Sequence, residues 1–269
     1  MNKIVASGVV KHYTIERTGH VVLALENMAL AVREGEFLCL VGPSGCGKST
    51  FLQLVAGLEP LTRGSIRMDA REITGPGADR GMVFQSHALF PWRTVLENIE
   101  FGLEVKGLPK RERRESALRH ARMVGLQGFE TSFPHELSGG MRQRVGIARA
   151  LANHPDVLLM DEPFGSLDAQ TREIMQHDIL DIWRQTGRTI IFVTHSVQEA
   201  VYLGDRIAVM TARPGRVKAI IDIDLPHPRD VTSAEFGQLM RPVYAVLKEE
   251  VLKTLNGSRG AMPELLESV

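Results

Sequence analysis

The sequence predicts an α/β fold in which a mostly parallel sheet lies buried between helices and a helical segment is inserted into the sheet. Three observations predict it. Short uninterrupted apolar runs at 37–41, 81–84, 157–160 and 189–193 read as strands buried on both faces, and the last three stop at a polar residue. The first run is followed by a glycine-rich loop and then by 49–58, where Phe51, Leu52, Val55 and Leu58 share one side and Gly57 stands near the end, as in a short helix. Between Gln85 and Pro155, the segments 95–103, 110–124 and 141–152 carry helical periodicity, with no convincing strand among them. In such sheets ligands gather beyond the carboxyl ends of the strands, so the loops after these runs are where chemistry is expected.

The remaining elements follow in order. Residues 23–32, apolar and β-branched, read as a further strand before Arg33-Glu34-Gly35-Glu36. The mixed charges of Lys110 to Glu115 predict a solvated helix face. Ile207 to Met210 and the alternation Val217, Ala219, Ile221, Ile223, Leu225 read as edge strands. Phe236, Leu239, Met240, Val243, Leu247 and Val251 recur at helical spacing, predicting a final amphipathic helix packed on the body, and Asn256, Gly257, Gly260 and Pro263 predict a loose tail.

Composition bounds the function. A chain of 269 residues with 43% hydrophobic and 24% charged residues suits one and a half to two folded domains, which excludes a disordered chain. Lys plus Arg total 32 and Asp plus Glu total 32, so no net positive field gathers nucleic acid or anionic lipid. Cys39 and Cys46 form neither a disulfide framework nor a metal cluster, as suits a reducing compartment. No run approaches the ~20 apolar residues of a membrane span, and Met1 to Val10 lacks the regions of a signal peptide. A cytoplasmic location is expected.

Gly42-Pro43-Ser44-Gly45-Cys46-Gly47-Lys48-Ser49 matches G-x-x-x-x-G-K-[ST] and lies between a buried strand and a helix, where its mechanism requires. Its backbone N–H groups and the helix N-terminus make an anion nest, with Thr50 alongside. Lys48 adds a full charge for the β- and γ-phosphates, and Ser49 a hydroxyl for Mg²⁺. The run 157–160 then delivers Asp161 and Glu162 at a strand end. Asp161 is placed to hold Mg²⁺ through water, and Glu162 to take a proton from an attacking water. Neighbouring acids repel unless a cation is close, so a metal–phosphate site explains the pair better than a salt bridge. The core is thus read as a P-loop nucleoside triphosphatase.

Leu137-Ser138-Gly139-Gly140-Met141-Arg142-Gln143-Arg144 opens a helix with Ser138 as N-cap and two glycines that leave the first N–H groups uncovered, which makes a second anion site. This string, standing upstream of the paired acids, resembles the signature of ATP-binding cassette (ABC) ATPases. The resemblance runs from about Val9 to Asp230. It implies a RecA-like mixed sheet with an antiparallel β subdomain. Residues 1–86 and 156–230 would form the nucleotide-binding core, 87–155 the helical subdomain with the signature, and 231–269 a C-terminal helix and tail. It further implies that Gln85 touches Mg²⁺ and the attacking water, that His195 contacts the γ-phosphate, and that Asp168 belongs to a dimer-contact loop. In that loop Gly165-Ser166-Leu167-Asp168 departs from the commoner Ser-Ala-Leu-Asp. Tyr13, or His12 beside it, is the candidate to stack on adenine.

One chain carries one phosphate loop and one signature, whereas family geometry sets the signature of one subunit against nucleotide held by the other. A head-to-tail homodimer with ATP between the copies is therefore implied, and an ATPase activity with it. The absence of membrane spans assigns any transport path to separate permease chains, peripheral attachment at the cytoplasmic face of the inner membrane, and an indirect partner in a substrate-binding protein. Ala88-Leu89-Phe90-Pro91-Trp92-Arg93-Thr94-Val95 is unusually apolar for a loop and suits either a groove for a permease helix or internal packing of Phe90 and Trp92. With 195–201 and 225–230, the stretch 91–99 resembles the ATPase subunits of bacterial nitrate, sulfonate and taurine importers. A soluble ABC ATPase acting in cofactor assembly or on nucleic acid stands as the alternative, and a P-loop small-molecule kinase would need neither the signature nor the switch histidine.

Overall fold

The structure is a computed structural model and describes residues 1–86 and 88–260. One sheet is built from β3 (Phe37–Val41), β6 (Arg80–Val83), β7 (Val157–Asp161), β8 (Thr189–Thr194), β9 (Arg206–Met210) and β10 (Val217–Asp222), in the spatial order β10-β9-β3-β8-β7-β6. All neighbours pair in parallel except β10, which runs antiparallel to β9. Every residue of β3, β7, β8 and β9 is buried, and this is why they read as continuous apolar runs: neither face is left for polar side chains. Ile207 to Met210 is therefore not an edge strand. It lies between β3 and β10, and only β10 and β6 are edges.

A second, antiparallel sheet holds β1 (Asn2–Ile15), β2 (His20–Arg33), β4 (Arg63–Met68) and β5 (Arg71–Glu72) in the order β2-β1-β4-β5. Helix α1 (Lys48–Ala56) is packed between the two sheets. Leu38 and Leu40 of β3 meet Phe51, Leu52 and Val55 of α1 and Ile4, Val9, Leu30 and Ile66 of the second sheet, while Phe37, Cys39 and Val41 point to the opposite face. Gly57 closes α1 in a left-handed conformation, φ 74°, and its N–H returns to Leu54 O and Gln53 O.

Between β6 and β7 the chain makes α2 (Val95–Val105), α3 (Lys110–Met123) and α4 (Gly139–Ala152), packed through Val95, Ile99, Leu103, Ala117, Ala121, Val145 and Ala148. Thr94 and Glu97 form a capping box at the start of α2. In the charged stretch 110–115 only Arg113 turns inward, 3.7 Å from Glu100. Two helices beyond those read from the sequence, α5 (Ala169–Thr186) and α6 (Val197–Leu203), cover the same face of the sheet.

The final helix, α7 (Ala234–Gly260), buries Phe236 and Val243 and continues past Asn256 and Gly257 to Gly260, so the segment expected to be loose begins as helix; Pro263 lies outside the described residues. Its Glu250, only 1% exposed, accepts from the Ala212 N–H at 2.9 Å, Lys218 Nζ at 2.7 Å and Lys253 Nζ at 2.6 Å, which fastens α7 to the β9–β10 connection.

Candidate active site

The phosphate loop leaves the carboxyl end of β3 and enters α1, so its donors sit over the middle of the parallel sheet. Gly47 adopts φ 103°, and a Cβ there would lie 2.7 Å from Leu25 Cδ2 and 3.0 Å from the Ala24 carbonyl oxygen. Only glycine fits both demands. Gly42 is likewise pressed against Cys46 Sγ, 2.7 Å from where a Cβ would stand. Lys48, buried, donates from Nζ to Gly42 O at 2.9 Å and Pro43 O at 3.1 Å, and stands 3.9 Å from Glu162 Oε1. Cys46 packs into the core, where burial raises its thiol pKa, so it is held as a thiol and not as a reactive thiolate.

Beside the loop lies a cavity of about 260 Å³, lined among others by Ser44, Gly45, Lys48, Ser49, Thr50 and Glu162, with Tyr13, Val22 and Ala24 as its wall from the second sheet. Tyr13 is half-buried, with Lys11 Nζ 4.7 Å from its ring centroid. His12 is exposed and does not line the cavity.

The strand ends supply the acids. Ser49 Oγ donates to Asp161 Oδ1 at 2.8 Å. Burial raises the Asp161 pKa, and the Glu162 charge reinforces that rise; the Ser49 hydrogen bond and Lys48 oppose it. A carboxylate so placed gains from a nearby cation. Glu162 holds φ 43°, a left-handed backbone that costs a non-glycine residue about 1 kcal/mol. Its N–H donates to Val193 O at 3.0 Å, and its Oε2 lies 3.2 Å from Nδ1 of the exposed His195. Gln85, just beyond β6, is exposed and approaches Gly165. The adjoining oxygens of Ser49 and Asp161, a hydroxyl and a carboxylate, are hard donors that fit Mg²⁺. No cluster of three or more His, Cys, Asp or Glu suited to a metal occurs among the described residues.

Other residues singled out by the sequence stand apart from this group. Ser138 caps α4, its Oγ accepting from Met141 N–H at 3.3 Å, but it is exposed and does not line the cavity beside Lys48. Gly140 is buried against α5, where a Cβ would lie 2.6 Å from Thr171 Cγ2; Gly139 has no such neighbour. Asp168 caps α5 through Thr171 N–H at 2.9 Å and Thr171 Oγ1 at 2.7 Å, and these bonds hold its carboxyl pKa low.

Arg213 was missed by the sequence. It lines the cavity and donates through Nε and Nη2 to Gly45 O at 3.1 and 3.0 Å. The signal was present, because Arg213 follows the carboxyl end of β9, where the strand-end rule applies as much as at β7. The apolar loop is divided: the internal packing expected of Phe90 and Trp92 holds for Phe90 alone. Phe90 packs 4.5 Å from Phe101 between ring centroids, while Trp92 is 71% exposed. A cavity of about 460 Å³ opens there between β6, the loop, α2 and α4, lined by Met82, Phe84, Ala88, Phe90, Phe101 and Arg149 among others.

A family model described as ABC transporter matches residues 25–165. The chain belongs to the ABC transporter family. This ABC ATPase is 58% identical, over 89% of its length and 90% of the relative's, to an uncharacterised ABC transporter ATP-binding protein of Methanocaldococcus jannaschii. It is 46% identical to the nitrate import ATP-binding protein of Synechocystis over 92% of this chain and 93% of that one, and 48% identical to the taurine import ATP-binding protein of Rhizobium johnstonii over 90% and 92%. Among solved structures, a dimeric post-hydrolysis ATP-binding cassette bound to ADP and Pi superposes with TM-score 0.73 at 34% identity, covering 83% of this chain and all of that one. A dimeric bacterial ABC transporter cassette gives 0.74 at 35% identity with the same coverage. No helix among the described residues is long and apolar enough to cross a membrane.

Proposed function

We propose that this ABC ATPase drives an importer for a small anion such as nitrate, a sulfonate or taurine, as two head-to-tail copies bound to separate permease subunits at the cytoplasmic face of the membrane. One observation carries the reading. Lys48, Ser49, Asp161, Glu162 and His195 are drawn together around the phosphate loop, whereas Ser138, with the second anion-binding helix end, is exposed and absent from the wall of that cavity. A second molecule offers such a helix end something to do.

In this reading the triphosphate lies along residues 42–50, with adenine on Tyr13 and the terminal phosphate near Lys48. Lys48 exchanges the carbonyls of its own loop for phosphate oxygens. Glu162 accepts the proton of the attacking water, and His195 orients Glu162 and meets the terminal phosphate. Ser49, Asp161 and Gln85 would hold Mg²⁺, which would supply charge neutralisation at the phosphates. The partner copy adds Ser138, Gly139 and the Asp168 loop across the nucleotide. Residues 1–86 and 156–230 act as the nucleotide-binding core, 87–155 as the helical subdomain and 231–269 as the C-terminal helix and tail. The groove between Phe90, Phe101 and Arg149, with the exposed Trp92 5.7 Å from Phe90 between ring centroids, receives a short helix of the permease, so that closure of two copies is passed to the membrane. A substrate-binding protein delivers cargo on the far side. The import names of the nitrate and taurine relatives support the anion class.

Reconstitution tests the proposal. Co-expressed with a candidate permease of the nitrate, taurine or sulfonate importer class and placed in proteoliposomes, the protein is expected to drive ATP-dependent uptake of nitrate, taurine or an alkanesulfonate, and Trp92→Ala is expected to weaken permease binding while leaving ATP binding intact. Co-purification with a soluble scaffold in place of a permease, with no uptake of any of these anions, would overturn it.

A further inference from the structure

Behind His195, on the side away from the phosphate loop, lies a second carboxylate that no nucleotide-binding motif uses. Glu199 of α6 is 7% exposed. Its Oε2 accepts from Thr194 Oγ1 at 2.5 Å, and Thr194 Oγ1 in turn accepts from Ser196 N–H at 3.0 Å. On either side of His195, Thr194 is thus held by the Glu199 carboxylate and Ser196 by Thr194. Glu199 Oε1 lies 3.6 Å from Nε of Arg172 in α5, and Nη2 of Arg172 donates to Leu167 O at 3.0 Å, one residue before Asp168.

We infer that Arg172 and Glu199 are positioning residues that tie the setting of His195 to the loop ending at Asp168. The inference rests on the roles proposed above for His195 and Asp168. A buried carboxylate with a charge-assisted hydrogen bond is a firm anchor, so Thr194 follows Glu199. The link from Glu199 to Arg172 is slacker: Arg172 Nε is buried without a hydrogen bond, and a cavity of about 460 Å³, lined by Arg172, Ser196, Gln198, Glu199 and Tyr202 among others, leaves the guanidinium room to move. Contact between the Asp168 loop and a second copy shifts Leu167, moves Arg172, and changes the charge facing the carboxylate that holds Thr194. His195, next in the chain and 3.2 Å from Glu162, registers the change at the reacting end. Turnover is thereby matched to the presence of the partner, while nucleotide binding at the phosphate loop is left alone.

The test is a kinetic cycle on the full-length protein. Glu199→Gln keeps an acceptor for Thr194 but removes the charge facing Arg172; Arg172→Gln breaks the same link from a partly exposed position that leaves the fold intact. Each is expected to lower kcat about tenfold while KM for ATP moves less than about twofold, and neither is expected to lower it further in a His195→Ala background. A purely structural role would instead lower the melting temperature and multiply with His195→Ala. Wild-type kcat in both variants, or losses that multiply with His195→Ala, would overturn the inference while leaving the His195 role standing. Normal turnover in His195→Ala alone would overturn that role and the inference with it.

Discussion

Lys48 turns its ammonium towards the carbonyls of Gly42 and Pro43 in its own loop, so the loop is shaped around the charge that a phosphate is to meet. Its replacement by alanine is expected to weaken ATP binding about 100-fold, the scale of losing one charge-assisted contact with a buried anion, as measured by calorimetric titration; equal affinity in both proteins would remove Lys48 from the phosphate site. Gly47 is expected to be as intolerant for a different reason. At φ 103°, with Leu25 Cδ2 2.7 Å from its missing Cβ, Gly47→Ala is expected to cost about 2 kcal/mol in urea unfolding as well as phosphate affinity. Lys48, Asp161 and Glu162 were legible because their spacing and strand-end setting carry their chemistry. Arg213 was not, because an arginine in a hairpin looks like any solvated side chain until the fold sets it against Gly45. The Arg172–Glu199 link was hidden for a related reason: its two halves are far apart in sequence and meet only when α5 packs on α6.

At the scale of elements, legibility followed burial. The strands buried on both faces announced themselves as apolar runs, and α1 to α4 by periodicity and caps. β1 did not, because its register slips repeatedly against β2 and polar Ser7, Lys11, His12 and Thr14 break its pattern. α5 went unread although Met175, Ile179 and Ile182 recur at near-helical spacing, since only those and Leu180 are buried and charged residues fill the rest. Asp168 illustrates how one residue serves an element and a site at once. Asp168→Ala removes the α5 cap and is expected to destabilise the isolated subunit by about 1 kcal/mol in chemical denaturation, whatever its role in a dimer. The α7 anchor predicts a pH dependence. Burial alone would raise the Glu250 pKa, but Lys218, Lys253 and the Ala212 N–H outweigh it and hold it at about 2, below the ordinary 4.5. The unfolded chain therefore takes up this proton first as pH falls, so the stabilisation is present above about pH 4.5 and lost on the way to 2. Glu250→Gln is expected to be less stable at pH 7 and to lose less between those values; denaturation curves parallel to wild type at every pH would refute the anchor.

For the molecule as a whole, the fold sets one phosphate loop and one signature helix on a chain that does not bring them together, while ATP-binding cassettes of the same fold are seen as dimers. Glu162→Gln is expected to slow turnover by roughly 10² to 10⁴-fold without loss of nucleotide affinity, since it removes a base and not a phosphate contact. That variant also allows the most direct measurement of the central claim, its mass in solution by sedimentation with saturating Mg²⁺ and ATP. Twice the 29.8 kDa of one chain is expected, returning to a single chain when Ser138→Arg is added. A nucleotide-loaded Glu162→Gln protein that stays at one chain, even with its permease present, would contradict it.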